Sequence, residues 1–416
     1  MAITSTFSNM LNEYLSYDLL KEEIIKRDYV LTKVEKDDGW KGGTLPVPFK
    51  GAGASSIAMG QMTDETDVAE DILVRGSVAG YKEMFGTLVF NQKDLMQHDG
   101  TGITEKTFLK ILPDSIEDFM VGMKNQVSCY LTNGSHLVTA TADGDVSGNI
   151  TVDRPDRLSI GQKLTWDDSA GADVTAYVKS INMETLVVNF VTTRGGAIAA
   201  DLSTILVAQG AKAYVDGANV GANKFSAIKD MLLSAANGGS ATIFGVTKSA
   251  YPYTQAIQIP GSAVNASNLL DKIFDGYITI RTFGKGDPRE VLMSYKHWGS
   301  VLKKLESSKG AFNVVPGSMS TSVYGWTEVE VGGIKGSLKL IAIQELDNDA
   351  ILFIDWRAFK FHSNGFFKRV KDPEGKEFYT KRYTTGYKYF VDMALFGDLI
   401  CSRPSYCGIM SNIPNY

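Results

Sequence analysis

Cysteine and histidine are scarce in this chain: three cysteines (Cys129, Cys401, Cys407) and four histidines in 416 residues. That excludes a disulfide scaffold and a clustered zinc site, and it makes a reducing cytoplasm the expected compartment. Cys401 and Cys407 stand too far apart for a Cys-x-x-Cys redox pair. His98, His136, His297 and His362 are isolated, without the i, i+4 pairing of a metal-binding helix. Long apolar runs are missing too. The richest, Ala350 to Ile354, is strand-sized, far below the ~18 residues of a membrane span. The opening Met-Ala-Ile-Thr-Ser-Thr has no basic n-region, so no secretory signal is expected. Basic charge is in deficit, 42 Lys and Arg against 47 Asp and Glu, which argues against a dedicated nucleic-acid binder.

Catalytic patterns are also lacking. Gly51-Ala-Gly-Ala-Ser-Ser fails the dinucleotide fingerprint at its last position. Residues 239–248 (GSATIFGVTK) lack the Gly-Lys-Ser/Thr ending of a phosphate loop, and no Gly-x-Ser-x-Gly elbow occurs. Asp167-Asp168 and Asp347-Asn348-Asp349 do not fit an EF-hand and read as turns. An enzyme is therefore the least supported class, and neither cofactor nor metal is expected.

The material that is present is globular: 44% hydrophobic, 21% charged, 10% aromatic, with 41 glycines against 11 prolines. At about 150 residues per domain the length suggests two or three domains, and abundant glycine suits a turn-rich β chain. Residues 7–37 lean helical, with Leu11, Leu15, Leu19, Leu20, Ile24 and Ile25 spaced near four. Thr44 to Phe49 alternates, and its two prolines confine it to an edge or an unpaired extension. Residues 72–78 and 82–90 read as strands joined around Gly80, with an acidic lead (Asp64, Glu65, Asp67, Glu70, Asp71). Such a hairpin holds too little apolar mass for its own core and must lie on something else.

The clearest helix is predicted over 114–132, where Ile116, Phe119, Met120, Met123, Val127, Tyr130 and Leu131 form one apolar stripe. Asp114 with Glu117 resembles a capping box, Asn133-Gly134 is the stop, and Cys129 reads as a small buried hydrophobe. From about 136 to 215 short β runs take over, at Ile150, Leu164, Val174, Leu186 and Ile205, which suits a small barrel or sandwich inserted in the chain. Residues 217–345 mix helices with strands: a helix with Phe225, Ile228, Met231 and Leu232, one capped by Ser267, and one after Ser294. Strands are expected at Val329, Leu338 and Ile351. Residues 357–403 carry ten Lys and Arg against five Asp and Glu, interleaved with aromatics. Strand alternation explains that stretch better than single-strand nucleic-acid stacking, although weak, sequence-blind attraction to nucleic acid is compatible with it.

This order of elements resembles the major capsid proteins of tailed bacteriophages, whose HK97-like fold is shared with herpesvirus capsids and encapsulin shells. The stretch GGTLPVPFKGAGAS at 42–55 resembles the start of the extended loop, and ILPDSIEDFMVGMKNQVSCYLTNG at 111–134 the long spine helix. VLMSYKHWGSVLKKLESSKG at 291–310 resembles the strand and helix where axial and peripheral domains meet. IKGSLKLIAIQELDNDAILFIDWRAFKF at 334–361 resembles the strands that close the fold. The resemblance implies an α+β capsid fold divided into an N-terminal arm (1–43), extended hairpin loop (44–97), spine helix of the peripheral domain (98–135), inserted β-barrel-like domain (136–216), axial domain with part of the peripheral domain (217–345), and C-terminal peripheral strands and tail (346–416).

It further implies hexamers and pentamers closing an icosahedral shell around phage DNA contacted non-specifically. A separate scaffolding protein and a portal are implied, a decoration protein is allowed, and no membrane is involved. The expected location is the virion, assembled in the host cytoplasm. Inter-subunit contact falls to Pro46, Val47, Phe49, Asp64, Glu70, Asp71, Arg75 and Lys82, while Ile116, Phe119, Met120, Met123 and Val127 form the core face of the spine helix. Glycines 51, 53, 76, 80 and 86 are expected to let the loop bend. The alternatives are an encapsulin-like compartment around a cargo enzyme and, from another class, a β-rich tail or adhesion module.

Overall fold

Seven strands form the central sheet, in the order Ile257–Pro260, Gly408–Ser411, Ala350–Ile354, Glu290–Met293, Gly336–Ala342, Glu328–Gly333 and Val315–Pro316. The computed structural model describes residues 29–49, 74–91, 119, 121–123, 125–134, 136–144, 148–167, 174–193, 207, 209–215, 225–284, 286–307, 315–316, 328–333, 336–369, 379–383 and 386–414. The sheet is mixed: Ile257–Pro260 runs parallel to Gly408–Ser411 and Glu290–Met293 parallel to Gly336–Ala342, while the other pairs are antiparallel. Every residue of Ala350–Ile354 is buried. An unbroken apolar run of this kind belongs to a strand covered on both faces.

Val291, Met293, Leu340, Ile351 and Phe353 pack with Leu269, Leu270, Ile273, Tyr277, Trp298 and Val301 of the helices Leu269–Thr279 and Tyr295–Ser307. The alternate residues Leu292, Ile341, Leu352 and Ile354 enter the larger apolar cluster on the other side. Ser267 does not cap its helix as expected. The acceptor is Asn265 Oδ1, which takes the Ser267 amide, the Ser267 hydroxyl and the Asn268 amide at 3.0, 2.6 and 3.1 Å. Ala350–Ile354 and Gly408–Ser411, on the far side of the expected boundary at 345/346, join the sheet that holds Ile257–Pro260 and Glu290–Met293.

A second sheet is built on the 16-residue strand Gly386–Cys401. Lys82–Asn91 pairs with its residues 388–397, Phe359–Arg369 with 393–401, and Tyr379–Tyr383 with 386–390. Since Lys82–Asn91 overlaps both of the others, those two share the opposite edge. Val74–Val78 and Lys82–Asn91 are thus strands, as expected, but they do not pair with each other. Val74–Val78 pairs with Leu45–Phe49, and Lys82–Asn91 lies on its own chain's C-terminal strand.

The predicted long helix packs on this second sheet. Residues 119, 121–123 and 125–133 are helical, and Gly134, at φ +103°, ends it. Met123 and Val127 are buried and Phe119 is packed against the core, whereas Ile116, Met120 and the expected capping pair lie outside the described residues. A side chain at Gly86 would stand 2.5 Å from Met123 Sδ and 2.8 Å from Phe119 Cζ. Gly86 therefore serves close approach of helix and strand, not bending.

Residues 138–215 form a six-stranded antiparallel sheet in the order Val138–Thr139, Lys212–Val215, Lys163–Asp167, Val174–Asn182, Val187–Val191, Asn149–Thr151. Its two ends meet at the bridge between Ala140 and Val152, where the Thr141 amide donates to Thr151 O at 2.8 Å and the Asp153 amide to Thr139 O at 3.0 Å. The sheet is thus a closed barrel, which removes its edges. Trp166 and Phe190 fill it edge to face, ring centroids 5.5 Å apart. Of the expected strand at Ile205, residues 205 and 206 lie outside the described residues and Val207 is not in a strand; Lys212–Val215 supplies the partner instead. Among the described residues no helix is long and apolar enough to cross a membrane. All three cysteines are free and buried, and burial pushes the Cys129 thiol up to about 11.

Candidate assembly surfaces

Among the described residues, Leu45–Phe49 and Val74–Val78 form a two-stranded sheet hydrogen-bonded to none of the three larger sheets. In a two-stranded sheet every strand is an edge, so Pro46 and Pro48 are tolerated. Both prolines face solvent while Val47 and Phe49 turn inward and are buried. They rest against a small hairpin, Thr242–Ile243 paired with Val246–Thr247. Its two-residue turn has Phe244 at φ +49° and Gly245 at φ +81°, the signs of a type I′ turn. The segment weighed as a phosphate loop is this hairpin.

Phe244 touches both strands of the small sheet. Its ring stacks on Phe49 with centroids 6.2 Å apart and planes 25° off parallel, and its carbonyl accepts the Ser77 amide at 2.9 Å. Opposite Val47 stands Gly76, where a side chain would come within 2.7 Å of Phe244 O. Here too the glycine makes room for a neighbour.

The two chain segments leading into this sheet converge on the long-strand sheet. Trp40 is buried; its amide donates to Ser363 O at 3.2 Å, its indole N–H to Gly43 O at 2.7 Å, and its ring meets Tyr81 edge-on at 5.3 Å. Tyr81 in turn accepts from Asn364 Nδ2 at 3.1 Å and stands edge-on to Phe396 at 6.1 Å. Of the residues expected at an inter-subunit surface, Pro46 and Arg75 are exposed, Lys82 is half-buried, and Val47 and Phe49 are buried in their own chain. Asp64, Glu70 and Asp71 lie outside the described residues.

Glu290 ties down the N-terminal helix Tyr29–Lys33. This buried carboxylate accepts the Tyr29 hydroxyl at 2.7 Å, Lys33 Nζ at 2.9 Å and the Trp356 indole N–H. Sequence reasoning missed it; an acidic residue at the head of an all-apolar strand is the one signal that points to it.

A polar junction fastens the barrel. Arg157 donates to Leu137 O at 3.0 Å and Glu345 O at 2.6 Å and pairs with Asp347 at 2.9 Å. Lys229 Nζ pairs with Asp347 at 3.3 Å and Asp349 at 2.7 Å, and Asn133, at the end of the long helix, accepts the Asp347 amide at 3.2 Å. Burial pushes the Asp347 carboxyl up, yet Lys229 and Arg157 hold it below the usual range. Burial also drives His136 down to about 4, leaving it neutral. The acidic turn at 347–349 is therefore neutralised from within, beside a cleft of about 510 Å³. Among the described residues no group of three or more His, Cys, Asp and Glu is placed to hold a metal ion.

No family model and no curated protein matches this sequence. Solved structures similar to it include the capsid asymmetric unit of cyanophage A-1(L), at 10% identity with 91% of each chain covered and a TM-score of 0.44. The capsid of the native GTA particle matches at 10% identity, 92% and 90% coverage and a TM-score of 0.43. The holo-SrpI encapsulin complex of Synechococcus elongatus matches at 8% identity, 94% and 88% coverage and a TM-score of 0.38.

Proposed function

We propose that this chain is a phage major capsid protein. Its copies associate as hexamers and pentamers and close into an icosahedral shell around double-stranded DNA. The observation that carries this reading is the small sheet Leu45–Phe49/Val74–Val78. Among the described residues it is hydrogen-bonded to none of the larger sheets, and the sequence that connects its strands carries a run of acidic residues from Asp64 to Asp71. A two-stranded sheet is marginal alone and is stabilised by what it lies on.

The arm it begins lies across the neighbouring subunit, with Pro46 and Arg75 on its exposed side and Asp64, Glu70 and Asp71 meeting a basic surface. Residues 357–403, with an excess of five positive charges, are the candidate surface. The mechanism is burial of interface between copies, with edge-strand pairing and apolar contact as its terms. The barrel is a fixed appendage of each subunit. A separate scaffolding protein and a portal complete the assembly, and the DNA is held without sequence reading.

Electron microscopy of the purified protein tests this directly, with closed particles expected. Deleting residues 52–70 should leave a folded subunit, with native circular dichroism, that makes no particles. Intact shells from that deletion would falsify the role of the arm. A cargo protein inside the particles in place of DNA would turn the reading to a cellular compartment, and a stable trimer or monomer would turn it to a tail or adhesion module.

A further inference from the structure

We infer that Phe244 is a latch that fixes the direction of the arm, and that the arm turns about its root at Trp40 and Tyr81 when the latch opens. The purpose of the motion rests on the capsid reading; the latch itself does not. The arm is mounted at two places on two different parts of the fold. Its root is the cluster of Trp40, Tyr81, Phe396 and Asn364 on the long-strand sheet, at the bulge between Ser363 and Phe367. Each connecting segment has a glycine in the left-handed region beside this root, Gly42 at φ +88° and Gly80 at φ +73°, so both strands have a bending point at the same level. Further along the arm, the second mount is the hairpin Thr242–Thr247, with Phe244 at its turn and the buried Val47 and Phe49 of the arm against it.

Phe244 is a poor choice for its own turn. Both central positions of a type I′ turn need φ > 0, which asparagine or glycine adopts readily and a bulky side chain adopts at a cost. Phe244 occupies the first position at φ +49°. The hairpin Thr242–Thr247 does not need the ring, whereas the arm does. The ring covers Phe49 on one strand, and the carbonyl beside it takes the Ser77 amide on the other. Gly76 leaves the space into which Phe244 fits. The stacked ring and the hydrogen bond, with the buried side chains of Val47 and Phe49 beside them, form a contact that opens locally, without breaking the larger sheets.

Amide hydrogen exchange on the full-length, unassembled chain tests this, comparing wild type with Phe244→Gly and Gly76→Ala. Glycine accepts the turn geometry at 244, so the hairpin survives, and the second variant pushes a methyl group against Phe244 O while keeping the ring. In both variants the amides of Leu45, Val47 and Phe49 and of Val74–Val78 should exchange at least tenfold faster. Those of Ala350–Ile354 should keep the wild-type rate, and Trp40 fluorescence should not change. Unchanged exchange in the arm of both variants overturns the latch. So does an equal acceleration in Ala350–Ile354, which would make Phe244 a support of the whole subunit. A chain that passes this test but forms no particles would sink the capsid reading and leave the latch standing.

Discussion

Asp398 is a fully buried carboxylate in the long strand Gly386–Cys401. Its Oδ1 accepts the Ser226 and Leu399 amides at 2.7 and 2.9 Å, and its Oδ2 the Ser226 hydroxyl at 2.9 Å. Burial outweighs these bonds and pushes its pKa up to about 6. A carboxyl raised in the folded state contributes fully below its unfolded pKa, and that contribution is lost as pH rises through about 6. A tenfold change in acidity between the folded and unfolded chain corresponds to about 1.4 kcal/mol. Asp398→Asn keeps the Oδ1 acceptor and removes the charge, so its advantage over wild type should grow between pH 5 and pH 8. Urea midpoints measured side by side read this out and cancel the opposite trend from His136, which is lost from both curves equally. A constant difference across that range would show that Asp398 is not the titrating group. Gly86 offers a steric counterpart. Gly86→Ala sets a methyl 2.5 Å from Met123 Sδ, a cost of about 1 kcal/mol because the thioether can shift. Met123→Ala in the same chain should recover part of that loss in thermal melts, and an additive double mutant would refute the contact.

The barrel is fastened by Arg157, whose side chain reaches two carbonyls and Asp347 at once. Removing one member of a buried ion pair leaves the other uncompensated and typically costs about 3–5 kcal/mol. Lys229 still faces Asp347, so Arg157→Met should fall at the low end of that range, with faster amide exchange in Val138–Thr139 as the specific sign. Exchange unchanged there would place the anchor elsewhere. Elements of this kind were readable along the chain, because periodicity is local: the described part of the long helix, the helix after Ser294 and the strands at Leu164, Val174, Leu338 and Ile351 stand where their apolar spacing puts them. Partners were not, because pairing is decided by competition between distant segments. Val74–Val78 and Lys82–Asn91 are adjacent in sequence, with a glycine turn between them, yet each finds a better partner elsewhere, Leu45–Phe49 and the strand that begins at Gly386. Gly76 and Gly86 looked like bends for the same reason, since the side chains that crowd them come from Phe244 and Met123. The candidate site was legible only in part. Two prolines marked the arm, and an acid at the head of an apolar strand is the only local mark of Glu290, while nothing local distinguishes Phe244 from an ordinary turn residue.

At the scale of the molecule, the barrel is closed by its own hydrogen bonds but not sealed by its own core. Its interior residues Leu164, Trp166, Val188 and Phe190 belong to the same apolar cluster as Tyr130 and Leu131 of the long helix and Met393 of the long strand. The Val215 amide donates to the Tyr130 hydroxyl at 2.8 Å, and Arg157 crosses to the turn at Glu345 and Asp347. A segment of this length buries a smaller share of its surface than a larger domain does, only about 60–65%. Cutting it from the cluster removes the side of its core that Tyr130 supplies. The full chain should therefore melt in one calorimetric transition, and residues 136–216 expressed alone should give a poorly dispersed NMR spectrum. A second resolved transition, or a well-dispersed spectrum from the isolated segment, would show a module that folds unaided. The single-transition outcome follows from the shared core: a barrel that packs on the long helix and is bonded to it through Tyr130 keeps one orientation relative to that helix in every copy of the chain.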